Sequence, residues 1–247
     1  MIVYIYNKFI KIIYMLIMVK IIMAHRGIFY YYKENSLDSI LEIFNYKSNK
    51  FKLGVEFDIN LTKDDNLIIY HDKTINNENI NNLTYEQIKK YDNSIPKLEE
   101  VLDHFINKDY ILNIEVKNYP ENKERYCKII IDTLKKYHNI GGNVLEEHQG
   151  VGPYWYTQRP INFFISTFDK NIYNIFINNN FECYQISEYN KEPKDIVHYS
   201  QINSDAKGVY TIFDEEFDDI LLQKLHNIEI LITDDIRKLL KYFDNIE

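Results

Sequence analysis

Short apolar runs alternate with helical patterns along almost the whole chain, and this rhythm restricts the fold more than any other feature. The runs are Val19–Ala24, Leu53–Asp58, Leu67–Tyr70, Tyr110–Val116, Asn162–Ser166, Glu182–Ile186, Gly208–Ile212 and Ile228–Ile232. Between most of them lie patterns with helical spacing: Leu37–Asn45, Leu98–Phe105, Lys123–Tyr137, Lys170–Asn178, Glu215–Leu225 and Asp235–Phe243. Asn35 or Ser36 is placed to cap the first helix, Thr84 followed by Glu86 and Gln87 opens a short one, and Asp214 precedes another. Strands separated by helices imply a parallel sheet covered by helices. Eight such strands in 247 residues predict a single (β/α)8 TIM barrel rather than an open sheet. Residues 18–247 form this one domain, with no internal repeat and no dividing linker.

Two stretches break the rhythm. Lys73–Pro96 is a short, polar, Asn-rich insertion after the third strand, and its run Asn76–Asn82 needs no account beyond a polar loop. Gly141–Pro160 holds four glycines and Trp155 between Tyr154 and Tyr156. In a barrel such a loop either faces substrate or packs on neighbouring helices. The N-terminal residues 1–17 are apolar but carry Lys8 and Lys11, and the clean run Ile12–Val19 is well short of the ~20 residues of a membrane span. Three readings of this extension stay open: an appended segment with Met18 as the natural start, a helix packing on the domain or touching a membrane surface, or a signal or anchor.

Composition narrows the partners. Apolar residues make up 45% and charged residues 27%, an ordinary globular balance. The net charge of −8, with no dense basic stripe, argues against nucleic acid. Cys127 and Cys183 show no disulfide framework and read as free thiols of a reducing compartment, which points to the cytoplasm.

The chemistry lies where four apolar runs end: His25-Arg26-Gly27, Glu56-Phe57-Asp58, His71-Asp72 and Glu115-Val116-Lys117. Glu56 and Asp58 at i and i+2 share one face of a strand. Paired carboxylates repel unless a cation sits between them, and with Glu115 they offer three hard oxygen ligands suited to Mg²⁺ or Ca²⁺. On its own Glu-x-Asp is more often a solvated strand edge; Glu115 and the two histidine motifs reverse that reading. His25 and His71, titrating near neutrality, suit the proton transfers of phosphodiester hydrolysis. Arg26 and Lys117 supply charge for phosphate oxygens, or pair with the same carboxylates, and the two roles are compatible. Glu34 is a fourth candidate carboxylate, with Asn35 to orient it or to cap the helix.

These motifs, with Ala24 before the first and Glu34-Asn35-Ser36 after it, resemble the glycerophosphodiester phosphodiesterase family in order and spacing. Leu83–Ile88, Ile95–Leu102, Ile165–Asp169 and Ile232–Asp235 extend the resemblance over nearly the whole chain. It implies a (β/α)8 barrel that hydrolyses a small-molecule glycerophosphodiester to glycerol 3-phosphate and an alcohol. It implies His25 and His71 as the acid/base pair, Glu56, Asp58 and Glu115 as ligands of a divalent metal, and Arg26 and Lys117 as phosphate holders. In the family's scheme the substrate's glycerol hydroxyl attacks phosphorus first, and water then opens the cyclic phosphate. Three departures fall on the rim. Lys33 replaces a typical Pro, which predicts a looser loop. Tyr210 stands where Trp is usual, as a more polar wall for glycerol, with Trp155 a further candidate contact. The insertion is short, which predicts an open substrate side. A lysophospholipase D-like activity at a membrane surface and a catalytically silent binding barrel are the alternatives.

Overall fold

The computed structural model describes residues 20–117, 119–138, 161–188, 197–200, 209–212 and 230–244. Its strands are β1 (Ile21–Ala24), β2 (Lys52–Leu61), β3 (Leu67–Ile69), β4 (Thr74–Ile75), β5 (Glu78–Asn79), β6 (Ile111–Val116), β7 (Asn162–Thr167), β8 (Cys183–Glu188), β9 (Val197–Ser200), β10 (Val209–Ile212) and β11 (Ile230–Thr233). Its helices are α1 (Leu37–Leu41), α2 (Tyr85–Tyr91), α3 (Leu98–Phe105), α4 (Lys123–His138), α5 (Lys170–Asn178) and α6 (Ile236–Asp244).

The chain folds as an α/β barrel. β1 pairs in parallel with both β2 and β11, so the sheet closes on itself. From β2 it runs through β6, β7 and β8 in parallel register. β9 then lies antiparallel between β8 and β10, and β10 returns to parallel pairing with β11. The third expected strand departs from the simple rhythm. β3 is not a ring member but folds back antiparallel on β2, with Ile59 opposite Ile69 and Leu61 opposite Leu67. Only Thr62–Asn66 join the two, far too few residues for a parallel crossover, which needs a dozen or more. β9, which the apolar rhythm did not mark, occupies a place in the ring instead.

Alternation along the strands sorts side chains between two cores. Ile21, Met23, Ile111, Phe164, Tyr184, Ile230 and Ile232 fill the barrel interior. Ile22, Val55, Phe57, Leu112, Ile114, Ile165 and Leu231 face outward, against helix residues such as Leu98, Ile130, Phe176 and Leu239. Each fully buried Ile or Phe contributes roughly 1.5–3 kcal/mol relative to exposure. The interior is tight at Gly54, where a Cβ would run into the Ile111 carbonyl oxygen and the Met23 side chain. Helix α3 shows why these segments are helices. Its buried residues, Leu98, Val101, Leu102 and Phe105, fall at one-face spacing, and Glu99 and Glu100 lie in its first turn. Ser36 caps α1, and Thr84 with Gln87 forms a capping box on α2.

The insertion has its own core. Ile68, Ile75, Ile80, Leu83, Tyr85, Ile88 and Ile95 cluster beneath its asparagines. The β4–β5 hairpin turns through Asn76 and Asn77, both at positive φ (49° and 63°), a turn that Asn tolerates far better than branched residues. Cys127 and Cys183 are buried free thiols. Among the described residues no helix is long and apolar enough to cross a membrane. The N-terminal extension 1–17, the Trp155 loop and the expected helix Glu215–Leu225 lie outside the described residues.

Candidate active site

The parallel strands β1, β2, β6 and β11 deliver their C-terminal tips to one end of the barrel, the end where such folds carry their chemistry. On β2, Glu56 and Asp58 face inward, at 0% and 1% exposure. Asp58 is in register with Glu115 of β6, which is 5% exposed. One carboxylate oxygen from each of Glu56, Asp58 and Glu115 lies within 4.8 Å of the others.

Burial and the neighbouring Asp58 charge push the Glu56 pKa up to about 8. Burial acts the same way on Asp58, but Lys117, then Arg26 and His71, outweigh it and hold that carboxyl down at about 2. The Lys117 ammonium sits 2.7 Å from Asp58 Oδ1 and also contacts Glu115. Burial opposes its charge, yet the two carboxylates raise its pKa above the usual lysine value. Lys117 therefore serves here as partner of the carboxylates. The donor set fits a hard divalent cation: three buried carboxylates converge, and the buried Glu56 Oε1 accepts no hydrogen bond.

The loop after β1 is shaped around this cluster. Arg26 and Gly27 take positive φ (52° and 83°), and the Arg26 N–H donates to Glu56 Oε2 at 2.9 Å. A Cβ at Gly27 would collide with Ser39, so only glycine fits between loop and helix. The Arg26 guanidinium places Nε 3.4 Å from Asp58 Oδ2 and donates from Nη1 to both oxygens of Glu34. Glu34 thus pairs with Arg26 and is not one of the three converging carboxylates. Asn35 grips Asp58 twice, donating to Oδ2 at 2.8 Å and accepting from the Asp58 N–H at 3.2 Å. Helix capping falls to Ser36. The loop is tied down at Lys33, whose carbonyl accepts from the Ser36 hydroxyl and whose ammonium pairs with Asp92 after α2.

The two histidines reach the cluster by different routes. His25 continues β1, and its N–H donates to the Thr233 carbonyl at 2.8 Å. Its Nδ1 is 2.6 Å from Asp234 Oδ1, and its Nε2 is 3.9 Å from Glu56 Oε2. Burial lowers its pKa, but the Asp234 hydrogen bond and the Glu56 charge override this, and the net shift is upward. His71 arrives through the β2–β3 hairpin rather than on a ring strand. The Tyr70 N–H donates to the Asp58 carbonyl at 3.0 Å, which brings the next residue beside the carboxylates. Asn60 Nδ2 donates to the carbonyls of Tyr70 and Asp72 on either side of His71, at 2.7 and 3.3 Å. His71 Nδ1 contacts Asp72 at 2.7 Å. Tyr210 lies on β10 in register with Leu231. The sequence reading gave no site role to Asp234, although Ile232–Asp235 lay within the resemblance, nor to Asn60. A signal for Asn60 was available: it continues the i, i+2 row of Glu56 and Asp58.

Fold and site together define an α/β-barrel protein with converging buried carboxylates, flanking cations and two histidines at its strand tips. Residues 25–206 match the model of the glycerophosphoryl diester phosphodiesterase family, and the chain belongs to that family. It is 32% identical over 130 residues to the glycerophosphodiester phosphodiesterase of Caldanaerobacter subterraneus subsp. tengcongensis, covering 44% of this chain and 52% of that one. The chain spans about half the length of the curated relatives it matches. A solved glycerophosphodiester phosphodiesterase from Thermotoga maritima superposes with a TM-score of 0.60 at 17% identity, over 90% of this chain and 98% of that one. An Oleispira antarctica phosphodiesterase, solved with the product sn-glycerol-3-phosphate, gives 0.57 at 18% identity, over 94% and 92%. These two likenesses concern the fold.

Proposed function

We propose that the protein hydrolyses glycerophosphodiesters to glycerol 3-phosphate and an alcohol, in dependence on a divalent cation held by Glu56, Asp58 and Glu115. The observation that carries this reading is the convergence of three buried carboxylates beside a histidine, with one Glu56 oxygen left without a hydrogen bond. Family membership and the product bound to the Oleispira relative support the substrate class. A bound Mg²⁺ or Ca²⁺ would supply Lewis-acid polarisation of the phosphate oxygens and offset the carboxylate charges.

The chain's own groups do the rest. The Arg26 guanidinium, held by Asp58 and Glu34, presents positive charge to a non-bridging phosphate oxygen. Lys117 does the same from the other side of β2 once its carboxylates are neutralised. His71 takes the proton from the attacking glycerol hydroxyl, and His25, whose protonated form Asp234 and Glu56 favour, gives a proton to the departing alkoxide. The roles then reverse: His25 deprotonates the water that attacks phosphorus, and His71 returns its proton to the glycerol oxygen as the cyclic phosphate opens. Phosphorus NMR of the purified protein with glycerophosphocholine and Mg²⁺ or Ca²⁺ tests this. Glycerol 3-phosphate should accumulate, stop with chelator, and fail to appear with His25→Ala or His71→Ala. Absence of turnover on any glycerophosphodiester with cation bound would overturn the reading.

A further inference from the structure

The first and last ring strands meet at a seam that does more than close the barrel. β1 and β11 pair in register through Ala24 and Thr233, so the residues that follow them, His25 and Asp234, emerge side by side. The seam then holds His25 at two points. Its backbone N–H donates to the Thr233 carbonyl at 2.8 Å, and its Nδ1 lies 2.6 Å from Asp234 Oδ1. A carboxylate only accepts hydrogen bonds, so the short contact requires the proton on Nδ1 and leaves Nε2 as the atom turned toward the site. Nε2 is the nitrogen 3.9 Å from Glu56, among the converging carboxylates.

Among the described residues, the side-chain partner of Asp234 is His25. The cap of α6 belongs to Asp235, whose Oδ1 accepts from the N–H groups of Arg237 and Lys238 at 3.1 Å each. Asp235 also accepts from the Tyr30 hydroxyl at 2.6 Å, and its own N–H donates to Thr233 Oγ1. Helix start and loop anchorage therefore fall to one aspartate, and the imidazole to the other.

We propose that Asp234 is the positioning residue of His25, fixing its ring and its Nδ1–H tautomer so that Nε2 carries out the proton transfers. The proposal rests on His25 acting in the hydrolysis described above. An unconstrained imidazole rotates about χ2 and favours the other tautomer, so loss of Asp234 leaves the proton-transfer nitrogen misdirected in most molecules. The effect belongs in kcat, because Asp234 is paired with the histidine and lies outside the converging carboxylates.

The test compares Asp234→Ala and Asp234→Asn with the wild-type protein. Imidazole proton–nitrogen correlation spectra, recorded in alkaline buffer where the ring is neutral, report the tautomer of His25 without any turnover. The wild type should show protonated Nδ1, and Asp234→Ala should lose that signature. With glycerophosphocholine, Asp234→Ala should lower kcat on the order of 100-fold with KM within about twofold. Asp234→Asn retains an acceptor oxygen without the charge and should fall between. An Nε2–H tautomer in the wild type, an unchanged signature in Asp234→Ala, or an unchanged kcat overturns the proposal. A wild type without turnover defeats the functional reading instead, and the tautomer spectra then decide the role of Asp234 by themselves.

Discussion

Replacing Glu56 with Gln should stabilise the cation-free protein, and increasingly so as pH rises. In the folded chain the Glu56 pKa stands at about 8 against an ordinary value of 4.5. Between those values the folded state keeps a proton that the unfolded chain releases, so stability falls as pH climbs through the window and levels off above it. At 1.36 kcal/mol per pH unit the cost is about 1 kcal/mol at pH 5 and roughly 3 kcal/mol at pH 7. Gln carries no charge at any pH and fills the same volume, so the variant escapes this cost. Urea unfolding in chelator from pH 5 to pH 8 should show Glu56→Gln drawing ahead of the wild type by about 2 kcal/mol between pH 5 and pH 7. Adding Mg²⁺ or Ca²⁺ should reverse the order, because the wild type gains binding energy and the variant has lost a ligand. A difference that stays flat with pH would refute the argument that Glu56 is buried in a field of like charge.

Other perturbations follow from the same geometry. Lys117→Met strands Asp58 and Glu115 without their ammonium and should cost about 3–5 kcal/mol in chelator, while enlarging the thermal shift produced by cation; equal stability in chelator would count against the pairing. Asp58 is depressed to about 2 from 3.8, so its contribution of roughly 2 kcal/mol is present above pH 4 and disappears as pH falls toward 2; Asp58→Asn should flatten the acid limb of the stability profile. Asn60→Ala frees the carbonyls on both sides of His71 and should lower kcat on the order of tenfold with a stability loss of about 1–3 kcal/mol; an unchanged kcat would remove Asn60 from the site's support.

The strand tips were legible because burial on both faces makes ring strands continuously apolar, so a polar pair at the end of such a run stands out. Glu56 and Asp58 could be assigned to one face from their spacing alone, and the structure brings their carboxylates together with that of Glu115. The direction of β3 was harder, since Leu67–Ile69 is apolar whether it runs with or against β2. The decisive clue was the length of Thr62–Asn66, and Asp65 at φ 62° marks the turn. In the insertion the run Asn76–Asn82 read as a polar loop because the neighbouring isoleucines are spaced too irregularly to form a period, although they pack into one cluster. Asp234 could not be found from local sequence. Its role depends on the closure of the ring, which joins residues 209 positions apart.

On the proposed function, hydrolysis depends on one cation bound by the buried carboxylates of β2 and β6. Chelator-stripped protein titrated with Mg²⁺ or Ca²⁺, with glycerol 3-phosphate release followed at each addition, tests it directly. Turnover should begin at zero and saturate at one cation per chain in the wild type, and Glu56→Gln should show neither binding nor release. Full turnover in the stripped protein, or a Glu56→Gln variant that binds and hydrolyses like the wild type, would contradict the account.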